Sequence, residues 1–266
     1  MIHKQSKHKT LLTVIAVPLC FAALIYGSTG ELMRAVTALI AFTPCAYLLA
    51  DSAAAAGAEL SLARRSIFVR TNSVLTYLGH TETIAFDCDF LRRTGRLDME
   101  FPRIVTALRH MGLHPVLTTD TDVATAAQIG AAAGITDIRR TADPKNAATS
   151  AFPVALVGLH HCSAHGSSIR ISLRRTDSTS SVDAVILSDD LRQILVLIRM
   201  ARRTRAKIEQ NEIFGHTLNF IALGLAAAGV LTPVTGALWH VTSALILLLN
   251  AASLHSVGAR EKKFAF

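Results

Sequence analysis

Runs of apolar residues divide the chain into two paired blocks with a patterned region between them. The first run, LLTVIAVPLCFAALIYG from Leu11 to Gly27, carries no charge and lies near the lower limit of about 17 residues for a membrane-spanning helix. The second, AVTALIAFTPCAYLLA from Ala35 to Ala50, continues through Asp51 into AAAAGAEL. A third runs from Ile213 to Leu231 and a fourth from Val234 to Leu254, with Thr232 and Pro233 between them, so a tight helical hairpin is expected. Between the blocks the period changes. TIAFD, HPVLTT, PVALVG, IRISL and AVILS read as strands. FPRIVTALRHMG places Ile104, Val105, Leu108 and Met111 on one helical face and stops at Gly112; a second helix runs from Asp122 to Ala133 and stops at Gly134; a third covers Asp189 to Arg203. The alternation predicts a mostly parallel sheet with helices on both faces, a Rossmann-like α/β domain. The expected organisation is a transmembrane helical pair over 1–58, an α/β domain over 59–210, and a transmembrane hairpin with its tail over 211–266, which makes four transmembrane helices in all.

Composition agrees with a membrane protein: 51% of residues are hydrophobic and the mean hydropathy is +0.40. The net charge of +8 could suggest nucleic acid, but the basic residues crowd beside the spans, in MIHKQSKHK, ARRTRAKIEQN and GAREKK. Orientation and attraction to anionic membrane lipid account for that placement, and no nucleic-acid partner is expected. The positive-inside rule puts both termini and the segment from Glu59 to Asn211 in the cytoplasm, as in a multi-pass inner (plasma) membrane protein. An amino-terminal signal peptide is the competing reading of the first span, but no small-x-small cleavage site follows it cleanly and a second span comes at once. The four cysteines, Cys20, Cys45, Cys88 and Cys162, show no metal-finger spacing.

Polar residues stand where an open α/β sheet places its chemistry, at the carboxyl ends of strands. The first predicted strand presents Asp87 and Asp89, the second Thr118, Thr119 and Asp120, and Lys145 precedes the third. In haloacid dehalogenase-type phosphotransfer such positions hold a nucleophilic Asp, a phosphate-binding Thr and Lys, and magnesium ligands. A carboxylate attacking phosphorus needs a metal ion and cationic groups to offset the charge already on the phosphate.

Taken in order, these segments resemble the carboxyl-terminal half of the heavy-metal-transporting (CPx-type) P-type ATPases. AFTPCAYLLADSAAAAGAELSLARRSIFVRTNSVLTYLGHTETIAFD is similar to the metal-binding helix, the small-residue run and the strand ending in the phosphorylated Asp. VLTTDTDVATAAQIGAAAGI is similar to the TGD segment and its helix, and LTPVTGALWHVTSALILLLNAASL to the final span with its terminal Asn-Ala. The resemblance implies a cytosolic haloacid dehalogenase-like domain, a catalytic set of Asp87, Asp89, Thr118, Asp120 and Lys145, magnesium as its cofactor, and a zinc- or copper-like transition metal ion held by Cys45 and His240. Thr242 and Ser243 would stand beside that metal.

The departures are equally specific. DKTGT becomes Asp87-Cys88-Asp89-Phe90-Leu91, and TGD becomes Thr118-Thr119-Asp120. The magnesium loop GDGxND falls at Gly158-Leu159-His160-His161-Cys162-Ser163, where both carboxylates are gone, so magnesium lacks its hard anionic oxygens there. Asp177 and Asp183 are candidate replacements. The interval between Asp87 and Asp120 is too short for the family's nucleotide-binding domain, and nothing ahead of Leu11 reads as an actuator domain. A degenerate member, a pseudoenzyme unable to pump alone, is therefore expected. It would regulate or assemble with an intact transporter, or with a separate chain that supplies the missing domains. The alternatives are a residual phosphatase using Asp87 and Asp89, and half of a split metal pump. His160-His161-Cys162 with His165 suggests a metal cluster but matches no established zinc spacing, and a solvated loop is the plainer reading.

Overall fold

The computed structural model describes residues 2–42, 44–94, 100–119, 123–140, 154–158, 168–173, 182–188 and 190–260. The chain forms two compact units: one of Met1–Ala54 with Lys207–Ser253, the other of Ala55–Ala206 with Leu254–Phe266.

The second unit is built on a seven-stranded sheet. Its strands are β1 (Ile67–Val69), β2 (Thr83–Asp87), β3 (His114–Thr119), β4 (Asp137–Arg140), β5 (Val154–Val157), β6 (Ser168–Leu173) and β7 (Ala184–Ile186), in the order β1-β7-β6-β5-β2-β3-β4. Every pairing is parallel except that of β1 with β7. A parallel sheet must be covered on both faces, which explains the near-continuous apolar runs of its inner strands. Ile84, Phe86, Leu117, Ala155, Val157 and Ile171 are all buried in one core.

The covering helices follow from caps and periodicity. The helix α6 (Glu100–His110) buries Phe101, Ile104, Val105 and Leu108 on one face. It ends as predicted at Gly112, whose φ of 73° suits a residue without a Cβ, and the Leu113 amide then reaches back to the Leu108 carbonyl. The helix α7 (Val123–Ala133) ends the same way at Gly134, with φ 72° and a bond from the Ile135 amide to the Gly130 carbonyl. Three elements lie outside the predicted set: β1, the short helix α4 (Asn72–Gly79) and β4. A fourth difference matters more, because the segment directly after Asp87 is a helix, α5 (Cys88–Thr94).

The first unit is helical. It contains α1 (Ile2–Thr29), α2 (Leu32–Ala41), the start of α3 (Pro44–Ala63), the later part of α8 (Arg192–Ala227) and most of α9 (Pro233–Arg260). The expected second span, Ala35 to Ala50, is not one helix. It breaks after Ala41, where Phe42 is extended (φ −71°, ψ 127°), because Pro44 offers no amide to carry the helix through. In contrast, the predicted helix ending at Arg203 and the third apolar run merge into the single 36-residue α8. Among the described residues one helical stretch, Pro233–Leu254, is long and apolar enough to cross a membrane, while Ala16–Thr29 and Leu32–Ala41 are shorter apolar helices.

Packing in this unit uses small residues and a few polar links. A Cβ on Gly236 would stand 3.3 Å from Thr37 Cγ2 and 3.5 Å from Ala41 Cβ, so α2 and α9 approach closely there. Arg34 is held by both Glu31 carboxylate oxygens and donates to the Ala227 carbonyl at 2.9 Å, supplying a donor to the last turn of α8. The fully buried Asn211 accepts a hydrogen bond from Asn250 at 2.7 Å, and Lys207 donates to Asn250 at 3.1 Å.

Candidate functional site

The register of the central strands brings three sequence positions to one edge. Asp87 pairs with Thr118, and Phe86 with Val157, so Gly158 follows β5 immediately beside Asp87. A Cβ on Gly158 would lie 3.0 Å from Asp87 Cβ and 3.4 Å from its Oδ2, so the absence of a side chain there is what admits the aspartate.

Three of the five expected site residues, Asp87, Asp89 and Thr118, lie among the described residues, and each has a local partner. Asp87 Oδ1 accepts the Asp89 amide at 2.7 Å and the Phe90 amide at 3.3 Å, which makes it the amino-terminal cap of α5. Thr118 Oγ1 donates to the Phe86 carbonyl at 3.2 Å. Asp89 pairs with Arg92 at 3.2 Å, and both are well exposed. Asp120 and Lys145 lie outside the described residues, as do Asp177 and the His160–His165 loop.

The cause is local and apolar. Where a phosphoryl loop would carry Lys, Gly and Thr, this chain has Cys88, Phe90 and Leu91, buried to 3%, 2% and 1% exposure in the core. Burying those three side chains is worth several kcal/mol, since a fully buried large apolar side chain contributes about 1.5–3 kcal/mol. It favours a short helix over an open polar loop, and the helix needs a cap that Asp87 supplies. Replacing Asp87 with Ala should therefore lower the stability of this unit by about 0.5–2 kcal/mol, whereas Asp87→Asn, which keeps the acceptor oxygen, should be near neutral. Chemical denaturation of the two variants side by side checks this.

Among the described residues, few carboxylates besides Asp87 are available to magnesium at this strand edge. Gly158 to Ser163 contains no carboxylate, and Asp89 is engaged with Arg92. Asp183 is no substitute: it lies three strands from β2, about 14 Å at some 4.8 Å per strand, and its carboxylate accepts the Arg170 amide at 3.0 Å. Among the described residues no group of three or more His, Cys, Asp and Glu side chains is placed to hold a metal ion.

The second candidate site lies in the helical unit. His240 is partly buried on α9 with Nδ1 3.1 Å from the Ile40 carbonyl oxygen. Thr242 is exposed and Ser243 is buried to 3%. The side chain of Cys45 lies outside the described residues. Sequence reasoning missed the Ile40 carbonyl, a backbone group 200 residues from His240; the signal available was Pro44, four residues after Ile40.

Fold and sequence comparisons point to similar proteins. The chain is similar in fold to a zinc-transporting PIB-type ATPase solved in the E2.Pi state, with a TM-score of 0.68 and 16% identity over 93% of this chain and 61% of that one. A second structure of a zinc-transporting PIB-type ATPase, captured in a different state, gives a TM-score of 0.67 and 16% identity over 91% of this chain and 62% of that one. In sequence the chain is 27% identical over 167 residues to the cation-transporting ATPase HMA5 of Oryza sativa, covering 57% of this chain and 17% of that protein. It is 27% identical over 176 residues to the probable copper-transporting ATPase PacS of Synechocystis, covering 61% of this chain and 24% of that one. No protein-family model matches. The fold is similar to that of these P-type ATPases, and the relatives are copper- and cation-transporting ATPases. The chain spans less than a quarter of the length of either of these two relatives.

Proposed function

We propose that this chain is a membrane protein of the heavy-metal P-type ATPase kind whose phosphorylation site has become structural, and that it acts through association with an intact transporter. The observation that carries this reading is the commitment of Asp87 Oδ1 to the amides of Asp89 and Phe90, in a segment whose neighbours Cys88, Phe90 and Leu91 are core residues. A nucleophilic carboxylate needs its charge partners around the phosphate, and the sequence at Gly158–Ser163 offers none of the required anionic metal ligands. The short interval between Asp87 and Asp120 also leaves no room for a nucleotide-binding insertion.

In this reading four segments cross the membrane, with both termini and the α/β unit in the cytoplasm. The support is the apolar Pro233–Leu254 helix, whose Val234, Leu238, Val241, Leu245 and Leu249 recur at helical spacing and are all exposed, as a lipid-facing stripe requires. The two shorter apolar helices, the third apolar run within α8 and the flanking basic residues add to it. Cys45 and His240 remain as a site for a zinc- or copper-like cation, the cargo class of the copper- and zinc-transporting proteins that the chain resembles.

Phosphorylation tests the reading directly. The purified chain, offered labelled ATP or acetyl phosphate with magnesium, should acquire no acid-stable, hydroxylamine-sensitive label. A label that appears and is absent in Asp87→Asn would instead restore the phosphatase or split-pump reading, with Asp89 as acid/base, Thr118 and Lys145 as phosphate ligands, and Asp120 in the catalytic set beside them.

A further inference from the structure

Two turns meet at one end of the helical unit, the turn from α1 to α2 at Gly30 and the turn from α8 to α9 that follows Ala227. Arg34, in the first turn of α2, links them. Its Nε and Nη2 donate to the two carboxylate oxygens of Glu31 at 2.8 and 2.9 Å, and its Nη1 donates to the Ala227 carbonyl at 2.9 Å. One planar guanidinium can serve both acceptors because its donors point in fixed and different directions. Gly229 gives it room: a Cβ there would stand 3.0 Å from Arg34 Cζ and 3.1 Å from Nε and Nη2. The Gly229 φ of 73° also closes α8, with the Gly229 amide on the Ala226 carbonyl and the Val230 amide on the Leu225 carbonyl. The Ala227 carbonyl, at the helix end, takes its donor from Arg34 instead. Beside this contact Ile25, Ala38, Leu223 and Ala226 are buried together, and Phe21 meets Phe220 edge to face at 6.4 Å.

We propose that Arg34 is a latch: tied to Glu31 and to the carboxyl end of α8, it holds the α1–α2 and α8–α9 pairs together at their turns and keeps this end of the helical unit closed. The inference rests on the proposed membrane orientation, in which these turns face away from the cytoplasm, and deepens it. Apolar packing alone separates closed from parted helices only weakly there, since lipid tails are as apolar as the side chains they would replace. A bidentate, charge-assisted pair with a further bond to a helix end outweighs an ordinary surface ion pair, whose partners move independently. Carriers that work by alternating access rock one helical group against another. A unit clasped at its turns cannot part there until Arg34 lets go, so the contact opposes opening, as befits a chain that acts by association.

The test is amide exchange on the full chain in nanodiscs, read by mass spectrometry. Wild-type Ala228, Gly229 and Val230, whose amides bond back into α8, should be protected. Arg34→Met should speed their exchange and that of the Gly30 amide together by about 10–100-fold, the effect of losing one hydrogen bond to a charged group. Asn211 and Asn250, which bond each other away from these turns, should not change. Glu31→Gln keeps the bond to Ala227 and should give a smaller rise. Gly229→Asn accepts the left-handed backbone but sets a Cβ against the guanidinium, so it should loosen the α1–α2 turn on the other side of the latch. Unchanged exchange in Arg34→Met overturns the inference, because the contact then holds nothing. So does a rise spread evenly over the whole helical unit, which would make Arg34 a residue of general stability. Rapid exchange from Val234 to Leu249 in the wild type overturns the membrane orientation itself, and the inference with it.

Discussion

Truncating Phe86 to Ala is expected to cost about 3–5 kcal/mol, the range for removing a buried phenyl ring from a core. Phe86 is fully buried on the central strand β2 and stands edge-to-face with Phe101 of α6 at 5.2 Å between ring centroids. Its ring therefore joins the sheet to the helix that covers it, and such an aromatic pair adds about 0.5–1.5 kcal/mol beyond its buried area. A loss of this size consumes much of the roughly 5–15 kcal/mol that holds a domain folded. The consequence reaches the strand end, because the Phe86 carbonyl accepts the Thr118 hydroxyl and Asp87 is the next residue. Amide exchange should show β2, β3 and β5 losing protection together. A loss below about 1 kcal/mol, the ordinary mutational mean, would mean the site repacks and Phe86 does not join the layers.

How far the sequence announces this arrangement depends on whether a feature is local. The β2 and β3 strands and the stops at Gly112 and Gly134 are carried by short-range signals, a run of apolar residues or a glycine after a periodic segment, and they are legible. The edge strand β1 is not, because its three residues become a strand by pairing with β7 more than a hundred residues later. The segment after Asp87 misleads for a different reason. Its similarity to a phosphorylation loop draws attention to the carboxylates, while Cys88, Phe90 and Leu91 decide its conformation by entering the core. The break in the second apolar run is foreshadowed by Pro44, yet nothing local shows that His240 meets the Ile40 carbonyl beside it. A backbone acceptor leaves no trace in its own side chain.

The same contrast between local preference and tertiary context makes Gly79→Ala informative. In an exposed helix interior this change stabilises by about 1 kcal/mol, since alanine is the better helix former. Gly79, the last residue of α4, is buried against α8, and a Cβ there would lie 2.9 Å from both the Ala201 carbonyl oxygen and Arg205 Cβ. Neither neighbour is the free end of a flexible chain: one is helix backbone and the other is fixed to it. Relieving the overlap requires α4 and α8 to move apart, a strain of the order of 1–3 kcal/mol for an overpacked core, so the expected net effect is destabilisation. Movement would also lengthen the bond from Arg205 Nη1 to the Gly79 carbonyl, already 3.4 Å, and disturb the donation from Arg202 to the Met111 carbonyl just past α6. These two arginines place donors at the ends of two helices, and α8 carries both, so α4 and α6 should loosen together. Gly79→Val, larger and without the alanine preference, should unfold this unit at still lower denaturant. Gain of stability in Gly79→Ala would show that α8 yields at little cost, and that its contact with α4 does not set the spacing of the layers.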